Sequence, residues 1–177
     1  MSDVFLRRLS RWQAEQQREA VADLYVEAYR GTVGAEYRDR EDFLRRFARD
    51  VQRTDFEMVV ADASGLVGCL YGYRAERSGE WWEGFRGVLP AEAEEQTASG
   101  RVFRLSELLV APAGRRADVA SRLRTLLLTR HTSDVVVTVT RRDDDLGREV
   151  LQAWDWRKLG EFSPGREGWL RPPSPLP

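Results

Sequence analysis

The sequence predicts an α/β protein whose elements run β-α-α-β-β-β-α-β-α-β, with a further strand at the end. Two observations carry that prediction. The stretch 102–128 reads as a buried strand, a tight basic turn and a helix: Phe103, Leu105 and Leu109 share one strand face and Leu108 and Val110 the other. Pro112 and Gly114 stop the strand, and Val119, Ala120, Leu123, Leu126 and Leu127 then recur as one helical stripe. Elsewhere, short β-branched runs alternate with amphipathic helical ones, and Asp62-Ala63-Ser64-Gly65 between two apolar runs is a hairpin signal.

Taken in order, residues 4–12 form a first strand with imperfect alternation. Val21, Leu24, Tyr25 and Ala28 sit at i, i+3, i+4 and i+7 between Gln13 and Arg30, which predicts an amphipathic helix ended by Gly31. A second helix spans about Arg40–Arg53, with Phe43, Leu44, Phe47 and Val51 inward and Glu41 and Asp42 near its positive end. Phe56–Ala61 and Leu66–Arg74 are the hairpin strands, the latter weakened by Gly68 and Gly72, which mark a close backbone approach or a bulge. Residues 75–100 show no clean period and read as irregular. After the central strand and helix, Asp134–Thr140 is a buried strand. Asp143, Asp144 and Asp145 precede a short helix ending near Trp154, and Arg157–Phe162 and Gly168–Arg171 close the sheet.

At 177 residues the chain suits one domain, expected over 1–171, with the Pro-rich 172–177 as a loose tail. A net charge of −1 gives no reason to expect nucleic acid or membrane as a partner. The lone Cys69 excludes an internal disulfide, and with His131 as the single histidine no metal site is expected. No apolar run of membrane-spanning length and no signal-peptide core occurs, so a cytoplasmic protein is expected. Self-association as a homodimer stays open.

Val110-x-Pro112-x-x-Arg115-x-x-Asp118-Val119-Ala120-x-x-Leu123 resembles the acyl-CoA-binding signature of the GCN5-related N-acetyltransferase (GNAT) superfamily: Val-x-Pro, then Arg/Gln-x-x-Gly-x-Gly/Ala and a leucine one turn on. Val150-Leu-Gln-Ala-Trp154-Asp-Trp156-Arg-Lys-Leu-Gly160 is similar to that family's last helix and strand. Three positions depart. Asp118 and Asp155 stand where the family has glycines, and Leu151 where many relatives have a tyrosine that protonates the departing CoA sulfur. The resemblance implies a mixed-sheet acyltransferase fold and acetyl-CoA or another acyl-CoA as co-substrate. It also implies that the thioester lies where the strand ending at Val110 and the strand beginning near Val135 part. Backbone groups of Leu108 and Val110 would hold the pantetheine arm, and the amides of Arg115, Arg116, Ala117, Asp118, Val119 and Ala120 the pyrophosphate.

Acyl transfer to an amine needs a base, because an ammonium of pKa near 10 must first lose a proton. Glu107 is the candidate: it shares a strand face with Phe103, Leu105 and Leu109, where desolvation favours its protonated form. The other reading of Glu107 is a buried carboxylate paired with one of 27 arginines. Trp81, Trp82 and Phe85 either line an acceptor pocket or cap the core. Tyr71 and Tyr73, on the same strand face as Cys69, are candidates to substitute for the missing proton donor, and Cys69 reads as a small core residue. The leading function is an acyl-CoA-dependent N-acyltransferase acting on an amine of a small metabolite or antibiotic-like molecule. The alternative is a protein of the same fold that does not use acetyl-CoA and serves as a binding or regulatory module, or does other chemistry in the same cleft. A purely structural interaction protein is the third reading.

Overall fold

The computed structural model describes residues 3–29, 36–112, 116–142 and 144–173. In chain order it comprises β1 (Phe5–Leu9), α1 (Arg11–Gln16), α2 (Arg18–Ala28), α3 (Glu36–Val51), β2 (Glu57–Asp62), β3 (Leu66–Arg74), β4 (Phe85–Arg86), α4 (Ala91–Ala98), β5 (Val102–Val110), α5 (Arg116–Leu128), β6 (Val135–Arg141), α6 (Asp145–Ala153), β7 (Arg157–Phe162) and β8 (Arg166–Arg171). The strands form one mixed sheet in the order β1-β2-β3-β5-β6-β8-β7-β4. β5 and β6 pair in parallel, while β1–β2, β2–β3, β6–β8, β7–β8 and β4–β7 are antiparallel. Among the described residues no helix is long and apolar enough to cross a membrane.

The structure corrects the expected elements in four places. β1 stops at Leu9 rather than running to Trp12, because Ser10 caps α1: its side chain accepts from the Gln13 amide and Gln13 answers back. The expected helix over 13–30 is two helices that meet at Gln17, whose backbone leaves helical geometry (φ −93°, ψ 4°). α3 starts at Glu36, not Arg40. The irregular stretch contains a 3-10 turn (Glu80–Trp82), β4 and α4. The helix stop at Gly31, the strand stop at Gly114 and the end of the Pro-rich tail lie outside the described residues.

Two compact units share the chain, each built from two segments: Met1–Gly72 with Glu107–Leu127, and Tyr73–Ser106 with Leu128–Pro177. In the first unit, Phe43, Phe47 and Val51 of α3 recur every four residues and are fully buried with Val21, Leu24 and Tyr25 of α2. They cover Met58 and Val60 of β2, Cys69 and Tyr71 of β3, and Leu109 of β5. At about 1.5–3 kcal/mol per buried large side chain this stripe decides where α3 lies. Exposed pairs on its outer face, such as Arg45 with Asp42, contribute little beside it. On the opposite face of β3, Gly68 admits α5: a Cβ there would stand 2.9 Å from Val119 Cγ1 and 3.3 Å from the Leu109 carbonyl oxygen. The close approach expected at Gly68 is therefore that of a helix.

In the second unit, Ala75, Trp81, Leu89, Ala93, Val102, Val135, Val137, Phe162 and Leu170 form the core. His131 is buried, its Nδ1 2.8 Å from Asp134 Oδ2 and its ring stacked 3.9 Å from Phe103. Arg74 joins the same Asp134 carboxylate at 2.9 Å. The single histidine is thus a pinned core residue.

Candidate active site

The chemistry-bearing groups of the first unit gather where β3 and β5 run side by side. The Ala111 amide donates to the Val67 carbonyl oxygen at 2.8 Å, and strand alternation then carries Cys69, Tyr71, Glu107 and Leu109 onto the face covered by α2 and α3. Glu107 has a side chain only 14% exposed, and Arg46 Nη1 of α3 donates to its Oε1 at 3.0 Å. Both properties read from the sequence are present together: a carboxylate on an otherwise apolar face, and an arginine partner. The guanidinium of Arg46 also stands 5.8 Å from the ring centres of Tyr25 and Phe43, so aromatic faces and a carboxylate fix its position.

The titration of the neighbours follows from this arrangement. Burial and the Glu107 carboxylate push the Tyr71 phenol well above its ordinary 10.0, with Cys69 and Asp50 adding to the rise and Arg46 opposing it. Burial, then Glu107, likewise raises the Cys69 thiol above its ordinary 9.0. Burial works to lower the Arg46 value, and Glu107 outweighs it by charge and hydrogen bond, so Arg46 stays above its ordinary range. The face therefore holds one carboxylate beside a phenol and a thiol that both keep their protons at neutral pH. Cys69, fully buried and with a raised pKa, is the inert core residue expected.

The expected phosphate cradle is partly within view. Arg115 lies outside the described residues, and α5 begins at Arg116. A helix leaves the amides of its first turn without internal partners, which makes those of Arg116, Ala117 and Asp118 available. Val119 and Ala120, also expected in the cradle, follow within α5. The Val119 and Ala120 side chains are buried, the former against Gly68. Asp118 is exposed in this first turn, where its charge favours the helix and opposes a phosphate. Leu108 is half-buried and Val110 buried, both beyond the Val102–Leu105 register that β5 shares with β6.

Trp81 is a core residue of the second unit: 4% exposed, with Nε1 donating to Thr97 Oγ1 at 3.0 Å. That use of its ring and its only polar atom answers the choice between pocket and core for this residue. Trp82 and Phe85 are half-buried against the same core, Phe85 edge-on to Phe162 with centroids 5.1 Å apart. Leu151 is 4% exposed on the inner side of α6 beside Val150, and it carries no proton to give. Asp155 has φ 61°, the left-handed conformation that a glycine adopts freely. The Asp155 amide reaches the Gln152 carbonyl and the Trp156 amide the Leu151 carbonyl, so α6 ends in a Schellman turn despite the aspartate. Arg46 was not foreseen by number. It lies 61 residues from its partner, and in the sequence it is one arginine of many on an amphipathic helix.

No protein-family model and no curated protein matches the sequence. Solved structures do match the fold. PH1933 from Pyrococcus horikoshii OT3 aligns with a TM-score of 0.70 at 12% identity, over 98% of this chain and 100% of its own. An aminoglycoside 6'-acetyltransferase type Ii aligns with a TM-score of 0.63 at 13% identity, over 98% and 99%. The PaiA N-acetyltransferase from Thermoplasma acidophilum, solved in complex with coenzyme A, aligns with a TM-score of 0.61 at 13% identity, over 96% and 99%. At such identities the likeness is one of fold.

Proposed function

We infer that this chain, whose mixed sheet and helices form the GNAT acyl-CoA N-acyltransferase fold, transfers an acyl group from a CoA thioester to an amine of a small molecule. The observation that carries the reading is Glu107: a mostly buried carboxylate on β5, held by Arg46, with protonated Tyr71 and Cys69 as neighbours. In this reading Glu107 accepts the proton that the incoming ammonium must lose, directly or through water. Arg46 fixes the carboxylate's rotamer. Tyr71 keeps its proton through neutral pH and takes the donor's part that Leu151 cannot play. The amides of Arg116, Ala117 and Asp118 would hold the cofactor's pyrophosphate, and Asp118 weakens that hold. Acyl-CoA, acetyl-CoA by expectation, would supply the activated carbonyl, and its sulfur would leave as the thiol, with the proton that Tyr71 gives, as the amine acquires the acyl group. Trp82 and Phe85 stay half-buried against the second unit's own core. The same reading takes the chain as cytoplasmic, with a small amine rather than nucleic acid or membrane as partner. A homodimer would show in its hydrodynamic mass.

Calorimetric titration with acetyl-CoA, followed by a CoA-release assay with a panel of amines, tests this. Binding is expected to be weak and to tighten in Asp118→Gly, even though that change removes a favourable charge from the first turn of α5 and costs about 1 kcal/mol of stability. Leu151 and Asp118 together favour a second reading, a protein of this fold that does not use acetyl-CoA. No heat with acetyl-CoA in either protein would establish that reading and overturn the first.

A further inference from the structure

Lysine occurs once in the sequence, beside 27 arginines, so lysine-directed chemistry has a single side chain to act on. Lys158 stands on β7, and its ammonium lies 3.2 Å from Oε1 of Glu167 on the neighbouring β8. The two ends of that contact differ in access. The lysine side chain is 43% exposed and the glutamate side chain 2%. A reagent in solvent therefore reaches the amine, and the change it makes in charge is felt by a carboxylate that water does not reach.

The neighbours of Glu167 do little to replace that contact. Arg148 Nε of α6 comes within 3.2 Å of Oε2, yet neither atom makes a hydrogen bond among the described residues. Arg142 stands at 4.0 Å from Oε1 and is closer to Glu161, at 3.6 Å. Thr140, the register partner of Glu167 on β6, has a buried hydroxyl that makes no hydrogen bond among the described residues, so it does not serve the carboxylate. The register partner on β7 is Glu161, a second negative charge on the same side of the sheet.

We propose that Lys158 is a modification site, at which an acyl donor, either a thioester or an acyl phosphate, turns the ε-amine into an amide and so loosens the β7–β8 pair through Glu167. The neutral amine attacks the acyl carbon. The C–N bond forms as the C–S or C–O bond of the donor breaks, and the proton that the nitrogen gives up ends on the departing thiolate or phosphate. The amide carries no charge, so the buried carboxylate loses the cation at its Oε1. Every residue of this cluster belongs to the second unit, and the site does not depend on the acyl-transfer reading.

The full chain is incubated at mildly alkaline pH with acetyl phosphate and, separately, with acetyl-CoA, and peptide mapping by mass spectrometry locates the adduct. Protein acetylated at Lys158 has lost a positive charge and is separated from the parent by ion exchange. Its melting temperature, followed by tryptophan fluorescence, is expected to lie about 3 °C or more below that of the parent. Lys158→Gln, neutral like the amide, is expected to fall by a similar amount, and Lys158→Arg, which keeps the charge, to stay within about 1 °C. In Glu167→Gln, acetylation is expected to shift the melting temperature by less than about 1 °C, because the group that feels the change is gone. No adduct on Lys158 with either donor overturns the proposal. So does an adduct that leaves the melting temperature unchanged, or an equal loss in Lys158→Gln and Lys158→Arg. If Glu167→Gln does not fold, the acetylated, Gln and Arg proteins decide the matter among themselves.

Discussion

Glu107 and Asp155 show how far single side chains decide the outcome. With Arg46 on Oε1, Glu107 is both base candidate and half of an ion pair, and the two roles separate by pH. If Glu107 takes the amine's proton, Glu107→Gln lowers turnover at neutral pH by about 10²- to 10⁴-fold and regains part of it at alkaline pH, where the amine deprotonates unaided. A loss equal at every pH, accompanied by a lower melting temperature, would make Glu107 structural. Asp155 departs from the family glycine without changing the backbone, since it already sits at φ 61° in a closed Schellman turn. A non-glycine residue in that conformation costs about 1–2 kcal/mol, against about 0.5–1 kcal/mol of chain entropy that glycine would lose. Asp155→Gly should therefore raise stability by about 0.5–1 kcal/mol, read as an increase of a few degrees in melting temperature. A lower melting temperature would mean that the aspartate side chain contributes more than its backbone costs.

At the scale of elements, the helix α5 and the strand β3 depend on one missing Cβ. Gly68→Ala must push Val119 or the Leu109 carbonyl aside and is expected to destabilise by about 1–3 kcal/mol, as overpacked cores do. Equilibrium urea unfolding measures it, and a neutral result would show that α5 slides freely on β3. That glycine was legible as a close approach from its place inside a strand, and elements with strong periods were legible too, such as Phe43, Phe47 and Val51 of α3. Weak patterns were not. α4 offers only Ala93 and Thr97 as buried residues, one helical turn apart and too small to stand out among glutamates. The division at Gln17 involves neither glycine nor proline, so no local signal announces it. Ser10-x-x-Gln13, by contrast, is a capping box whose pattern was in plain sight and marks where β1 had to stop. For the site, spacing along β5 placed Glu107 on its face, whereas its partner comes from a distant helix and emerges only when α3 packs.

Over the whole molecule, composition sharpens an alkaline test. Lys158 is the only lysine and the arginines stay charged at any accessible pH, so few groups besides tyrosines and Cys69 titrate between pH 9 and 11. Folding raises both the Cys69 thiol and the Tyr71 phenol above their ordinary 9.0 and 10.0. The unfolded chain therefore releases these protons first. Their contribution to stability is complete below the unfolded values and is lost as pH rises toward the folded ones. Each group costs about 1.4 kcal/mol per pH unit, so unfolding free energy should fall by about that slope above pH 9 and by about twice it above pH 10. Tyr71→Phe should remove the additional slope above pH 10, and Cys69→Ala the part that begins near pH 9. Both groups lie in the first unit, whereas every tryptophan except Trp12 lies in the second. Because β3 and β5 run through both units, far-ultraviolet circular dichroism and tryptophan fluorescence are expected to report one coincident transition at each pH. A stability profile flat to pH 11 would contradict the burial of Tyr71 and Cys69, and a dichroism loss that precedes the fluorescence change would show that the first unit unfolds alone.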